Sequence, residues 1–274
     1  MTMKKKDVRI CIMRVGGTNC DEETKRAFQE LCVTASVVNT KELIGRENLL
    51  DYDGLVIPGG FSFGDYVRAG AIWADMILDE LKDLFKAYVQ EKRPVLGICN
   101  GFQVLVEAGL LPGFGGMSEK PEAALANNVP IGYRCAWVSL KHENSGRCIF
   151  TRKLPPERLL SMPIAHGEGR LVFPGEEEDN YLMRMQKNDQ IVFRYTKPTG
   201  EYANGEYPHN PNGSFFDIAG ICDPSGTVFG LMPHPERAFY GWQLPDWTRR
   251  SETPRYGCGR LIFESMVEYL TGEF

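Results

Sequence analysis

The sequence predicts a doubly wound α/β fold, a mostly parallel sheet with an antiparallel extension, and three observations carry that reading. Strand-like and helix-like segments alternate through the first hundred residues. Short apolar runs end in glycine turns at Gly16-Gly17, at Gly59-Gly60 and around Cys99. After Gly109-Leu110-Leu111-Pro112-Gly113, shorter strand candidates succeed one another with turns between them.

Taken in order, the apolar run Val8–Met13 is a first strand, and Gly16-Gly17-Thr18-Asn19 is a turn. A polar helix is expected over Asp21–Leu31 and a second strand over Ala35–Asn39. Gly54–Pro58 is a third strand, stopped by Pro58-Gly59-Gly60. From Trp73 to Gln90, Ile77, Leu81, Leu84, Phe85 and Tyr88 recur at helical spacing, which predicts one helix. Pro94–Ile98 is a fourth strand. The extension holds strand candidates at Ala136–Leu140, Arg158–Ile164, Ile191–Tyr195, Phe215–Cys222 and Val228–Met232, and a helix over Gly259–Leu270 ends the pattern. Lys197–Gly213 and Gly241–Gly257 read as exposed loops, and no repeat or long linker divides residues 1–274, so a single domain is expected. In open α/β sheets, sites form beyond the carboxyl ends of the strands. The Gly16 turn, the Gly59-Gly60 turn and Cys99 should therefore share one rim.

Gly97-Ile98-Cys99-Asn100-Gly101 is the cysteine counterpart of the Gly-x-Ser-x-Gly nucleophile elbow. A sharp strand-to-helix turn lifts the apex side chain out of the sheet, and a Cβ on either flank would collide with the neighbouring strand and helix. A thiol at a helix N-terminus also meets a field that favours thiolate. The alternative is a buried cysteine in a strand. A cysteine nucleophile needs a base, and the base an orienting group. Of four histidines, His142 and His209 lie in polar segments and are expected to be solvated. The others stand in His-x-acid pairs, His166-Gly167-Glu168 and His234-Pro235-Glu236. Pro233 and Pro235 hold His234 extended, which puts Glu236 on the same side of the chain as the imidazole. His166, among glycines, suits backbone contact with a ligand better than rigid positioning. The chemistry therefore favours Cys99, His234 and Glu236, although either histidine could be structural. The amide of Asn100 and the Pro58-Gly59-Gly60 turn are candidate oxyanion donors. Cys20 also opens a helix and is the rival nucleophile, but it lacks a preceding apolar strand and a following glycine.

Composition narrows the class. With 43% hydrophobic and 24% charged residues the chain is ordinary for a globular enzyme. A net charge of −5 builds no basic face for nucleic acid. No apolar stretch approaches the roughly 18 residues of a membrane span. Met1–Lys6 mimics the charged start of a secretory signal, but Asp7, Arg9 and Arg14 interrupt the apolar run that such a signal needs next. The eight cysteines show no metal spacing, and reduced thiols in a cytoplasmic protein are expected. No phosphate-binding glycine motif occurs, so any ATP-driven step is expected to belong to another polypeptide.

The segments Gly97–Gln103 and Pro233–Ala238 resemble those of the class I, triad-type glutamine amidotransferases, whose sheet is flavodoxin-like. More narrowly, Pro58–Tyr66, Ala165–Gly169 and Gly17–Asp21 are similar to glutaminase subunits of phosphoribosylformylglycinamidine synthases. The triad alone is class-specific; five motifs in order are highly specific. The resemblance implies glutamine hydrolysis in purine biosynthesis, with ammonia passed to a large synthetase subunit that uses ATP and magnesium, and with a small third subunit completing the complex. It implies no cofactor in this chain. By position, Cys99 is the nucleophile, His234 the acid and base, and Glu236 its orienting group. Gly60 and Asn100 would hold the oxyanion, and Gln103, His166 and Gly167 would help bind glutamine. Lys197–Gly213 and Gly241–Gly257 are longer than the family's segments. Their Tyr202, Tyr207, Trp242, Trp247, Arg249 and Arg250 form either an interface or solvated insertions. The rival readings are another glutaminase of the class, and a non-catalytic subunit that only docks a partner.

Overall fold

A computed structural model describes residues 3–273; Met1 and Thr2, the start of the signal-like segment, lie outside them. The first half builds a parallel sheet. Strand β1 (Arg9–Arg14) buries its four central residues and runs parallel to β2 (Thr34–Asn39) and β3 (Gly54–Ile57). Strand β4 (Val95–Ile98) lies beside β3, also in parallel. Strands β3 and β4 are buried along their whole length, as expected of parallel strands inside a doubly wound sheet. Helix α1 (Asp21–Glu30) opens with three acidic residues, which suit the positive end of the helix dipole. It buries Phe28 edge-on against Phe263, with ring centroids 5.1 Å apart. Helix α2 (Thr40–Gly45) continues directly from β2, started by a capping box between Asn39 and Glu42.

The helix expected over Trp73–Gln90 is two, α3 (Ala71–Glu80) and α4 (Lys82–Gln90). Leu81 leaves helical geometry (φ −126°, ψ 7°) while its amide still bonds to the Ile77 carbonyl and its carbonyl to the Phe85 amide. The chain thus turns about a buried leucine, and both halves keep aromatic and aliphatic side chains inside. The periodicity survives such a bend, which is why it reads as one helix. Helix α5 (Asn100–Glu107) rises from the end of β4.

The second half extends the sheet. Strand β6 (Arg134–His142) pairs antiparallel with β7 (Leu159–His166) and with β9 (Ile191–Thr196). Strand β10 (Ile218–Cys222) joins β9 to β11 (Val228–Leu231), both antiparallel, and β11 lies parallel to β4. The nine strands run in the order β2-β1-β3-β4-β11-β10-β9-β6-β7. The doubly wound sheet with its antiparallel extension is therefore present. Phe215–Asp217, expected as strand, is a tight turn with Phe216 at φ 52°. Four described elements were not foreseen: the short α2, β5 (Ala124–Asn127) and β8 (Glu168–Val172), which pair as a small second sheet, and α6 (Glu178–Lys187). The last helix is α7 (Arg260–Thr271). One continuous core spans these elements, from Val8 to Val267.

Two loop expectations change. His142 is buried at 2% exposure, its ring against Phe193 and its Nδ1 3.1 Å from the Pro155 carbonyl. It ends β6, and Phe193 beside it supplies the cover that a polar sequence neighbourhood hides. The stretch Lys197–Gly213 is not wholly exposed, because Ala203, Asn210 and Asn212 are buried. The asparagine side chains replace missing backbone partners: Asn210 donates to Ser214 and Asp217, and Asn212 to the Gly169 carbonyl at 2.8 Å. Gly241–Gly257 forms two short turns and leaves Trp242 and Trp247 on the surface. No described helix is long and apolar enough to cross a membrane.

Candidate active site

Cys99 sits at the apex between β4 and α5 with φ 50° and ψ −105°, a backbone conformation rare outside glycine. Such an outlier survives only where the surroundings over-determine it. The constraints are visible. The Cys99 amide donates to the Leu231 carbonyl at 2.8 Å, and its carbonyl accepts from Gln103. A Cβ on Gly101 would lie 1.8 Å from the Ile57 carbonyl oxygen of β3, and one on Gly97 would strike Leu105 and the Gly101 backbone. Both flanking glycines are thus required by the close approach of α5 to the sheet.

The segment after β11 carries His234. The His234 amide donates to the Pro163 carbonyl of β7 at 2.8 Å, which fixes the segment over the strand end. Glu236 stands on the first turn after it, and its Oε1 is 2.5 Å from His234 Nδ1, with both side chains buried. The same-side placement expected of an extended chain is achieved by an extended His234 followed by a tight turn. Burial alone would pull the imidazolium pKa down; the charge of Glu236 foremost, with the neighbouring Cys99 and Cys20, outweighs it, so His234 lies well above the ordinary value. Nε2 is enclosed and bonds to no other group.

Cys20 lies near the same imidazole but on its Nδ1 side, 4.0 Å away. Arg237 donates to its sulfur at 3.1 Å and to Glu23, tying the turn to α1. Burial foremost pushes the Cys20 thiol up to about 12, which disfavours it as a nucleophile. The donor atoms of Cys20, His234 and Glu236 lie within 4.8 Å of one another, close enough for a metal. Nδ1 is already committed to Glu236, so the trio reads as a hydrogen-bonded cluster.

A cavity of about 110 Å³ opens beside Cys99, lined also by Gly60, Gln103, His166, Gly167 and Glu168. A larger hollow of about 520 Å³ adjoins it through Glu168 and is walled by Val67, Arg68 and β5. Gly60 is held at φ 152° by a bridge to Thr18, so the Gly16 and Gly59 turns do meet Cys99 on one rim. The Asn100 amide opens α5, where helical N–H groups lack an intrahelical partner. Its side chain accepts from the Ser62 amide and donates to Gln103. The Gln103 amide is in turn committed to Asn100 and to the Glu168 carbonyl at 2.5 Å, so it shapes the wall. The His166 ring is buried and rigid, contrary to the glycine-based expectation, because Asn128 grips it. The Asn128 amide nitrogen serves the Gly132 and His166 carbonyls, which leaves Oδ1 to accept from His166 Nδ1 and the Gly169 amide. Burial, then repulsion from His234 and Arg134, lowers His166 to about 3, so it is neutral.

Sequence reasoning missed Asp65, Tyr133 and Asn128, and Glu168 as a cavity wall. Asp65 and Glu168 both lie inside motifs that the sequence marks out. Asn128 carries no local signal, since it reaches His166 only through the pairing of β5 with β8.

An elbow cysteine, a His-Glu pair after the neighbouring strand and a small cavity beside the thiol define the glutamine amidotransferase class. The family of CobB/CobQ-like glutamine amidotransferase domains matches residues 7–270. The subunit PurQ of phosphoribosylformylglycinamidine synthase from Archaeoglobus fulgidus is 46% identical, over 98% of this chain and 99% of its own. The corresponding subunit of Methanothrix thermoacetophila is 43% identical, over 96% and 98%. The solved PurLQS structure from Thermotoga maritima has a chain that superimposes with TM-score 0.70 at 32% identity, covering 96% of this chain and 99% of that one. The chain belongs to the PurQ family of phosphoribosylformylglycinamidine synthase subunits.

Proposed function

We propose that this chain is the glutaminase subunit of a phosphoribosylformylglycinamidine synthase and that Cys99, His234 and Glu236 are its catalytic triad. The observation that carries the reading is the elbow: a cysteine in strained backbone, walling a cavity, beside a histidine held by a buried carboxylate. Cys99 Sγ attacks the side-chain carbonyl carbon of glutamine, and the amides of Gly60 and Asn100 receive the developing oxyanion. The tetrahedral species collapses as His234 gives its proton to the departing nitrogen, releasing ammonia and leaving a γ-glutamyl thioester. His234 then takes a proton from water, which attacks the thioester and frees glutamate. Glu236 keeps the imidazole oriented and stabilises its charged form. Backbone groups at His166-Gly167 and the wall formed by Gln103 help hold the substrate.

Ammonia goes to a synthetase subunit of the same complex, which uses ATP and magnesium to convert formylglycinamide ribonucleotide to its amidine. A small third subunit completes the assembly. The chain works as one unit in the cytoplasm. The Cys99→Ala variant tests the reading in the reconstituted complex. Glutamine-driven synthesis is expected to vanish while ammonium salts still support it. A variant that keeps the parental glutamine rate would remove Cys99 from the mechanism.

A further inference from the structure

We propose that the carboxylates of Asp65 and Glu168, with His166 Nε2 as a third acceptor, bind the α-ammonium group of glutamine and select an amino acid amide over a simple carboxamide. The proposal rests on the glutaminase reading and adds the substrate end remote from the thiol. Among the described side chains lining the cavity beside Cys99, the charged ones are Asp65 and Glu168, and none is a lysine or arginine. Asp65 Oδ1 is enclosed and accepts no hydrogen bond. Glu168 Oε2 takes the Ala69 amide at 3.0 Å. His166 is 3% exposed, and its Nε2 has no partner. With Nδ1–H given to Asn128, that nitrogen can only accept. An ammonium brings three donors to a wall of acceptors.

The backbone holds Asp65 there against its own preference. Phe63, Gly64 and Asp65 are left-handed in succession, with φ of 53°, 70° and 54°. The Phe63 amide donates to Gly16 at 2.8 Å, Gly64 to Phe61 at 2.8 Å, and Ser62 to the Asn100 side chain at 3.1 Å. The turn is thereby fastened both to the Gly16 loop and to the helix that carries Cys99, so acceptor and nucleophile are set relative to each other. Burial first, and then the charge of Glu168, push Asp65 up to about 6. A bound ammonium would relieve that repulsion.

The test compares kcat/KM for glutamine with that for glutaramate, which carries hydrogen in place of the α-amino group, in the reconstituted complex. The parental complex is expected to prefer glutamine by about a thousandfold or more, since sites built on hydrogen bonds reject analogues that lack the group. In Asp65→Asn the preference should fall by about 10- to 100-fold, through a higher KM for glutamine, while glutaramate is handled within about threefold of the parental rate. Glu168→Gln, measured alongside, should lower the same ratio and carries the reading if the first variant does not assemble. A structural role would lower both substrates together, so an unchanged ratio overturns the assignment. A parental complex that takes ammonia but not glutamine would overturn the glutaminase reading, and this one with it.

Discussion

Replacing Glu236 by glutamine keeps the shape of the side chain and removes the charge that faces His234. The pair is sealed from solvent, with side-chain exposures of 2% and 0%, so the screening that reduces surface ion pairs does not apply. Removing one partner of a buried pair costs about 3–5 kcal/mol. Glutamine retains an acceptor oxygen for Nδ1, so the low end, about 3 kcal/mol, is the reasonable figure. At about 1.4 kcal/mol per tenfold, glutamine-dependent turnover of the complex should fall about 100-fold. Burial would then govern the imidazole, and its pKa should drop from its raised position. The pH dependence has a definite sign. The folded-state pKa of His234 lies above the ordinary 6.5, so the pair's contribution to stability is complete below pH 6.5. It is lost as pH rises through the folded value. The Tm difference between parent and variant should therefore be widest in acid and narrow in base. The assay is steady-state synthesis driven by glutamine and, separately, by ammonium salts, with thermal unfolding across pH. A loss below threefold, or an equal loss with both nitrogen sources, would refute the role given to Glu236.

Gly101→Ala should lower Tm by about 5–10 °C, since a Cβ 1.8 Å from the Ile57 carbonyl forces α5 off β3; overpacking of about 2–3 kcal/mol and about 2–4 °C per kcal/mol set that range. Scanning calorimetry reads it. A glutamine-like electrophile should label Cys99 and spare Cys20, whose thiol burial holds protonated near pH 7, and peptide mapping distinguishes them. The KM for glutamine should rise as pH falls through about 6, where Asp65 takes up a proton and loses its charge, a trend that Asp65→Asn should abolish.

Much of this molecule is legible because its information is local. Strands β1, β3 and β4 are apolar runs each closed by a glycine turn, and the Gly97–Gly101 spacing states its own steric demand, which the approach of Ile57 bears out. His234 and Glu236 can be paired because two residues of separation suffice to put them side by side. The features that escaped are non-local. Asn128 grips His166 across the β5–β8 pairing, and His142 is buried by Phe193 from another strand. The loop over Lys197–Gly213 reads as solvated because asparagine and glycine suit open loops. Buried, the same asparagine amides satisfy backbone groups as a strand would. Asp65 stands in its motif without an evident role, since only the fold shows its oxygen enclosed at the cavity wall.

The place of β11 has a consequence for how the protein comes off the ribosome. Although among the last strands made, it fills the slot between β4 and β10 in the middle of the sheet. Cys99 hangs from it through the Leu231 carbonyl, and His234 comes three residues later. A nascent chain long enough to display the thiol therefore has neither the strap that holds its elbow nor His234. On the proposed mechanism, a chain that ends before Leu231 lacks both groups and should hydrolyse no glutamine.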